Sequence, residues 1–223
     1  MQINIEYGPA FGLGILTLDQ GEVVQAEAGA MVSMAGVDMQ TAAQGGVMAG
    51  LKRAVGGESF FINTFTAQVP GAQLTVAPTF PGEVVHWPLQ NQTVYLQSGA
   101  YMASTPGLNV DTKWGGAKTF FSREGLFMIQ VAGSGDLVLA AYGAIHTLDL
   151  AQGQTYTVDT GHMVGWSEGV QYSVRKVGGW KSTILSGEGL VCDLTGPGRI
   201  YVQTRSEDTF LNWLIPKLPR PSN

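Results

Sequence analysis

Three short segments alternate between polar and apolar residues, and each follows a turn that is rich in glycine or proline. In Gln73–Ala77 the inward positions are Leu74 and Val76, and the other two segments repeat this spacing. Because successive side chains of a β-strand point to opposite faces, the pattern places one face against a core. An apolar segment precedes each turn, so we interpret all three as hairpins of an all-β protein. The other two segments are Asp136–Ala140 and Arg199–Gln203.

A glycine motif occurs three times and predicts that the chain is built from repeated units. An extended segment leads to Gly29, Gly99 or Gly161, and one small or polar residue and two large apolar residues follow. Self-similarity of this length indicates an internal triplication. A unit of about 65 residues buries too little apolar surface alone, so three units would share a core around a pseudo-three-fold axis. The predicted units are residues 1–78, 79–142 and 143–205.

Each unit is expected to begin with a strand, a tight polar turn and a second strand. The first and third units have Gly21 and Gly153 in this turn, and glycine accepts the positive φ that such turns favour. The second unit has Asn91, which tolerates the same conformation. A second turn of the middle unit is expected at Gly133–Gly135.

The end of the chain predicts a short amphipathic helix, within residues 206–223. Ser206 is a capping residue, and two acidic residues follow it in the first turn. Apolar residues cluster on one side, and Pro216 is expected to end the helix. These apolar residues are Phe210, Leu211, Trp213 and Leu214.

Composition narrows the class of protein. Only 13% of the residues are charged and 31 are glycines, which is typical of strands joined by turns. The net charge of −5 argues against a nucleic-acid partner. The single Cys192 cannot form a disulfide within the chain, and we interpret it as a small buried thiol in a reducing, cytoplasmic compartment. No signal peptide and no membrane-spanning run of apolar residues is recognised.

The residues that could bind a metal ion or act as a nucleophile do not form a recognisable site in the sequence. A cupin-like metal centre needs about three imidazole or carboxylate ligands, and the chain has only His86, His146 and His162, without a His-x-His pair. Gly165–Gly169 matches Gly-x-Ser-x-Gly, but the expected flanks are β turns rather than a strand that leads into a helix. We therefore predict no catalytic, cofactor-binding or metal-binding residues.

Several short segments of the sequence resemble those of a known protein family. The segments Gly45–Gly46, Gly50–Arg53 and Gly57–Thr66, with the three glycine motifs and the terminal helix, resemble the bacterial branch of the "altered inheritance of mitochondria" family, a former domain of unknown function. The resemblance covers residues 3 to about 216 and implies a triplicated β-sandwich or double-stranded β-helix unit, like that of the tryptophan RNA-binding attenuation protein. It implies a link of the eukaryotic members to inner-membrane organisation and supplies no catalytic residues.

The variable loops between the strands predict an interaction surface. All three carry a Gly-Gly pair and basic residues, and the first loop and the terminal helix add apolar side chains. We interpret the chain as a non-enzymatic binding or scaffold protein, a homo-oligomer that contacts a protein partner or a membrane surface peripheral to the inner membrane. The alternative is a small-ligand binder or cupin-like metal-dependent enzyme that uses the centre of the assembly. The candidate surface residues are Leu51, Lys52, Arg53, Lys113, Trp114, Trp180, Lys181 and Trp213.

Overall fold

A computed structural model of the chain describes residues 1–40, 60–111, 128–176 and 190–219. These residues form antiparallel sheets and one short α-helix near the C-terminus, so the prediction of a mostly β protein is confirmed. We describe the strands in three segments, residues 1–78, 79–142 and 143–205.

Strands of the first segment pair from the outside inwards. The outer strands β2 and β7 face each other with Leu16 opposite Leu74, and both of these residues are fully buried, as the alternating pattern predicted. The inner strands β3 and β6 also pair with each other. In addition, β1 pairs with β2, β4 pairs with β7 and β5 pairs with β6. The strands are β1 (Gln2–Glu6), β2 (Leu13–Leu18), β3 (Val23–Glu27), β4 (Met31–Ala35), β5 (Val37–Gln40), β6 (Ile62–Ala67) and β7 (Ala72–Val76).

The second segment differs from the sequence prediction at both expected turns. Strand β8 (Val84–Gln97) runs through Asn91, and β11 (Met128–Ala140) runs through 133–135, so the two form one long antiparallel pair. Asn91 does have a positive φ of 51°, and the register shifts between Gly133 and Gly135. The residues that were expected to end strands therefore form a bulge, because each strand finds its partner on the other strand at the same place. Strands β9 (Tyr101–Ser104) and β10 (Leu108–Asp111) both pair with β11.

Strands of the third segment are again separate. The outer pair is β12 with β17, and the inner pair is β13 with β16. Strand β14 also pairs with β17, and β15 also pairs with β16. Gly21 and Gly153 lie in the turns after β2 and β12 with φ of 84° and 74°, as predicted. The strands are β12 (Ile145–Leu150), β13 (Thr155–Asp159), β14 (Met163–Ser167), β15 (Gln171–Lys176), β16 (Leu190–Thr195) and β17 (Gly198–Gln203).

Among the described residues, two strand pairs join the segments. In the first, β9 pairs with β3, with Ala103 opposite Ala26, and in the second β14 pairs with β8, with Gly165 opposite Leu96. We call these pairs the two seams. Gly165 is required at its position, since a Cβ there would lie 2.3 Å from the Tyr95 carbonyl oxygen. The resulting sheets have the orders β1-β2-β7-β4, β12-β17-β14-β8-β11-β9-β3-β6-β5 with β10 beside β11, and β13-β16-β15.

The seams also determine how the core is divided among the described residues. One buried cluster combines residues of the first segment with Met102 and Ala103 of the second. Another is centred on the second segment and includes Val164 of the third, and a third cluster takes in Met128. The middle segment therefore contributes to all three buried clusters.

The predicted C-terminal helix is confirmed. Helix α1 (Glu207–Leu214) begins after Ser206, whose side chain accepts a hydrogen bond from the Thr209 amide. It is followed by a 3-10 turn, Ile215–Lys217, so Pro216 lies within helical backbone rather than just after it. Phe210 is the docking residue, because its ring packs against Phe80 and Tyr142. Within the described ranges no helix has the length and apolar character needed to cross a membrane.

Candidate functional site

Most of the surface predicted from the loops lies outside the described residues. This holds for Leu51, Lys52, Arg53, Lys113, Trp114, Trp180 and Lys181. Trp213 is described, is 58% exposed and stacks on Phe210 at a centroid distance of 6.2 Å. The ammonium group of Lys217 lies 4.7 Å from the centre of the Trp213 ring. Trp213 thus belongs to an exposed surface on the terminal helix.

The histidines make separate interactions. His86 Nε2 lies 2.7 Å from an Asp136 carboxylate oxygen, whereas His162 Nδ1 donates to the Gln203 carbonyl at 2.7 Å. His146 is exposed on β12. Across the described part of the chain, no three His, Cys, Asp or Glu side chains are grouped closely enough to hold a metal ion.

Neither nucleophile candidate has the surroundings that nucleophilic catalysis requires. Cys192 is fully buried, and burial, with a smaller contribution from Asp193, raises its pKa to about 12. The thiol therefore stays protonated at neutral pH. Ser167 is the last residue of β14, and its hydroxyl oxygen accepts a hydrogen bond from the Arg199 amide at 2.8 Å. No helix follows it, so the Gly-x-Ser-x-Gly match is not a nucleophile elbow.

A cavity of about 300 Å³ lies where the segments meet, and we call it the central cavity. Its wall takes residues from the glycine turns of the first and second segments, from the end of β17 and from the start of α1. Glu27, Gln97, Gln203 and Glu207 supply the polar side chains, and Phe80 and Tyr142 supply an aromatic wall.

Glu27 and Gln97 are the polar groups of this cavity that the sequence analysis missed. Burial, reinforced by the nearby Glu207, raises the pKa of Glu27 to about 7. Gln97 is only 4% exposed. Each stands two residues before a motif glycine, Gly29 or Gly99, at the end of a strand with apolar inward positions. The sequence signal that could have identified these two residues is a polar side chain two positions before the motif glycine.

Strand β4 differs in exposure from the strands that follow the other two motif glycines. Every residue of β4 is exposed, whereas every residue of β9 and nearly all of β14 is buried. Val32 is 59% exposed, while Met102 and Val164, three residues after their own glycines, are 1% and 0% exposed. The difference follows from the pairing: β9 and β14 each have strands on both sides, whereas β4 has β7 as its one partner strand among the described residues.

Comparison with known proteins gives matches that extend over nearly the whole chain. A family model described as mitochondrial biogenesis AIM24 matches residues 3–205. An uncharacterised protein of Streptococcus pyogenes serotype M6 is 30% identical, over 100% of this chain and 93% of that protein. The crystal structure of a Streptococcus pyogenes protein, 28% identical, superposes with a TM-score of 0.80 and covers 97% of this chain and 99% of that one.

Proposed function

This chain belongs to the mitochondrial biogenesis AIM24 family, and on that premise we propose that it is a non-enzymatic scaffold that works by binding, first of all to further copies of itself. The relatives are uncharacterised proteins, so the proposal is argued from the chain's own contacts. The observation that carries it is the exposure of β4, whose counterparts β9 and β14 are buried.

The proposal includes an internal triplication of a β unit around a pseudo-three-fold axis, with the unit boundaries predicted from the sequence. What supports it is the recurrence of one pairing scheme. In the first segment the outer pair is β2 with β7, in the second it is formed by the outer halves of β8 and β11, and in the third it is β12 with β17. In the same order, the inner pair is β3 with β6, then the inner halves of β8 and β11, and then β13 with β16. A unit like that of the tryptophan RNA-binding attenuation protein remains part of this proposal.

The two seams follow the same register, which defines what the third pairing would look like. Gln25 lies opposite Ser104 in one seam, and Tyr95 lies opposite Trp166 in the other. Counted from the motif glycines, these pairs both correspond to Thr157 opposite Met34. Strands β13 and β4 would then pair as β3 does with β9 and β8 with β14.

Both of these strands are unpaired on the relevant side within the described residues. Strand β13 ends one sheet and β4 ends another, and the first three residues of β13 are exposed. An open strand edge is a ready template for another strand. Because the two edges differ, pairing between copies is head-to-tail, and it closes into a ring or continues as a filament according to the rotation between copies.

The proposal is tested by cross-linking across the expected register. Met34→Cys and Thr157→Cys are made in separate chains, mixed and oxidised, and covalent dimers are scored on non-reducing gels. Residues opposite each other in antiparallel strands have Cβ atoms about 5 Å apart, within reach of a disulfide after small adjustments. The native Cys192 does not compete, because it is buried and its thiol is protonated.

The matched control pairs Met34→Cys with Asp149→Cys, an exposed position on β12 outside the expected register. We expect mixed dimers with Thr157→Cys and none with Asp149→Cys. In a chain that carries both Met34→Cys and Thr157→Cys, a ladder of covalent oligomers supports the proposal. Exclusive cross-linking within one chain, or equal yields with the control, would show that copies do not join at these edges.

Sedimentation of an edge-blocked variant gives a second, independent test. Val32→Lys adds a charge to an exposed position on β4, so it opposes a partner strand without disturbing the core. We expect the variant to lose self-association. Its monomer should melt at the same temperature as the wild-type monomer. A wild-type chain that sediments as a monomer at all concentrations would overturn the scaffold proposal.

A second exposed surface favours a membrane as a further partner. Leu211, Trp213, Ile215 and Leu218 are exposed on and just after α1, and Lys217 lies against Trp213. Tryptophan and lysine beside aliphatic side chains suit the boundary between lipid headgroups and acyl chains. A peripheral position on the inner membrane remains a proposal that rests on this surface.

A further inference from the structure

A second cavity, of about 440 Å³, lies beside the terminal helix, and we call it the helix groove. It is lined by α1, by residues that directly follow β17 and by part of the third glycine motif. Three aromatic rings supply its apolar surface: Phe210 stacks on Trp213, and Tyr142 meets Phe210 at a centroid distance of 6.3 Å and an angle of 81°. Because aromatic rings attract a further ring in offset-stacked or edge-to-face contact, this wall suits an aromatic ligand.

The groove also contains an arginine that has no carboxylate partner among the described residues. The Arg205 side chain donates from Nη1 to the Thr204 carbonyl at 3.2 Å, and neither Nε nor Nη2 is bonded to a described group. The other two described arginines, Arg175 and Arg199, use these same two nitrogen atoms to hold an aspartate. A guanidinium group presents this pair of donors as a planar fork that fits a carboxylate. At Arg205 the fork is therefore available for a ligand.

The charges around the groove favour an anion. Its described lining includes no aspartate or glutamate, and Glu207 of α1 lines the central cavity instead. The ammonium group of Lys217 lies 4.7 Å from the centre of the Trp213 ring, so a second cation stands beside the aromatic wall. An anion in the groove thus meets positive charge and no lining carboxylate.

Close backbone packing fixes the polar side of the groove. A Cβ on the motif glycine Gly161 would lie 2.6 Å from the Ser206 hydroxyl oxygen, so glycine lets the cap of α1 approach the motif. Gly143 has a φ of 79°, and a Cβ there would lie 3.0 Å from Cγ of Arg205. His162 is held by its hydrogen bond from Nδ1 to a backbone carbonyl. The groove is therefore a built feature of the fold rather than a gap beside a loosely attached helix.

The polar residues of the groove occur in the third segment alone. His162 directly follows its motif glycine, whereas the other two motifs have alanine at that place. Arg205 stands three residues after the last inward residue of its alternating strand, where the first and second segments have Thr79 and Tyr142. These differences indicate a property that belongs to one segment and not to the repeated architecture.

We propose that the helix groove binds a small aromatic carboxylate. Its carboxylate group accepts hydrogen bonds from Nε and Nη2 of Arg205, and its ring packs against Phe210 and Trp213. This ligand supplies the paired acceptors that the guanidinium fork requires and covers a tryptophan that is 58% exposed. The site goes beyond the proposed self-association, since none of its lining residues lies on β4 or β13.

Isothermal titration calorimetry with sodium hydrocinnamate, in the absence of vesicles, tests the site. Hydrocinnamamide has the same ring and chain without the charge, and sodium propionate has the charge without the ring. We expect millimolar or tighter binding of hydrocinnamate and no saturable binding of the other two. Arg205→Gln should weaken binding roughly tenfold or more, because it removes a charged, two-pronged donor. Arg205→Lys keeps the charge without the fork and should restore part of the lost affinity.

Two further variants keep the test decisive. Trp213→Ala should weaken binding roughly threefold or more, because a ring contact is lost. Lys176→Gln removes an exposed cation from β15, outside the groove, and should leave affinity unchanged. All of the replaced side chains are exposed, so each variant should keep the wild-type melting temperature.

Three results would overturn the proposal: no binding of hydrocinnamate to folded wild type, equal binding of hydrocinnamamide, or an equal loss of affinity in Lys176→Gln and Arg205→Gln. Equal binding of propionate would overturn the aromatic ligand class. Cross-linking and vesicle flotation are separate measurements, so self-association or membrane binding can fail while the groove still binds its ligand.

Discussion

Trp166 of β14 lies directly opposite Tyr95 of β8, and their rings are 5.8 Å apart at an angle of 31°. The ring of Tyr172 also packs against Trp166, at a centroid distance of 5.0 Å. The contact therefore joins the third segment to the second by aromatic packing as well as by backbone hydrogen bonds. Trp166 is 1% exposed, which makes it the largest fully buried side chain in the described structure.

Truncation of this residue should be strongly destabilising. We expect Trp166→Ala to lower the free energy of unfolding by about 3–5 kcal/mol, because it leaves a cavity at a seam. Urea denaturation followed by circular dichroism measures the change. Trp213→Ala is the matched control: its exposed ring should cost less than about 0.5 kcal/mol. Similar losses from the two variants would contradict a buried seam.

Glu27 predicts a pH-dependent difference between wild type and Glu27→Gln. Its pKa of about 7 in the folded state exceeds the value in the unfolded chain. The stability that this carboxyl contributes is therefore fully present below its unfolded pKa, near 4.5, and is lost as the pH rises through about 7. Glu27→Gln should be more stable than wild type at pH 8, by on the order of 2 kcal/mol after allowance for its partial exposure.

This advantage should shrink as the pH falls from 8 to 5, because wild-type Glu27 then becomes protonated. Urea denaturation at both pH values gives the difference directly. Asp38→Asn provides the reference for loss of an exposed carboxylate. An advantage of Glu27→Gln that stays constant with pH would show that Glu27 titrates as a solvated side chain.

The exposed surface of α1 predicts binding to lipid vesicles. Wild type should float with vesicles of phosphatidylcholine and phosphatidylglycerol, and Trp213→Asp should remain in the bottom fraction, because a charge replaces an exposed apolar ring. Phe11→Asp changes an aromatic residue that is even more exposed, at 70% against 58%, and that does not belong to α1, so this variant should float like wild type. If wild type does not float, the membrane proposal is wrong. Loss of flotation by both variants would indicate non-specific apolar adhesion.

The sequence predicted strands well where one face is buried and the other is not. Leu74 and Val76 are fully buried as their period of two required, and Ser206 caps a helix as its position before two acidic residues required. In contrast, Asn91 was predicted to end a strand and does not. Its local preference for positive φ is satisfied, but tertiary pairing with β11 continues the strand on both sides, and no local signal reports that partner.

The candidate site was harder to predict because it is made of distant parts of the chain. Glu27 and Gln97 were visible as polar residues, but nothing in their neighbourhoods indicates that their side chains share a cavity with the end of β17 and the start of α1. The loop cations formed a consistent pattern in sequence, and all of those among the named surface residues lie outside the described ranges. The exposure of β4 is likewise a property of pairing rather than of composition, since its sequence resembles those of buried strands.

The continuous antiparallel pair of β8 and β11 has a consequence for the cooperativity of unfolding. In a linear array of repeats each unit contacts only its neighbours, and parts of the array can unfold separately. Here one sheet draws strands from all three segments, with β8 and β11 at its centre and a seam on either side. Separation of β8 from β11 would disrupt the strands that pair with both flanking segments. We therefore expect the three segments to unfold together rather than one after another.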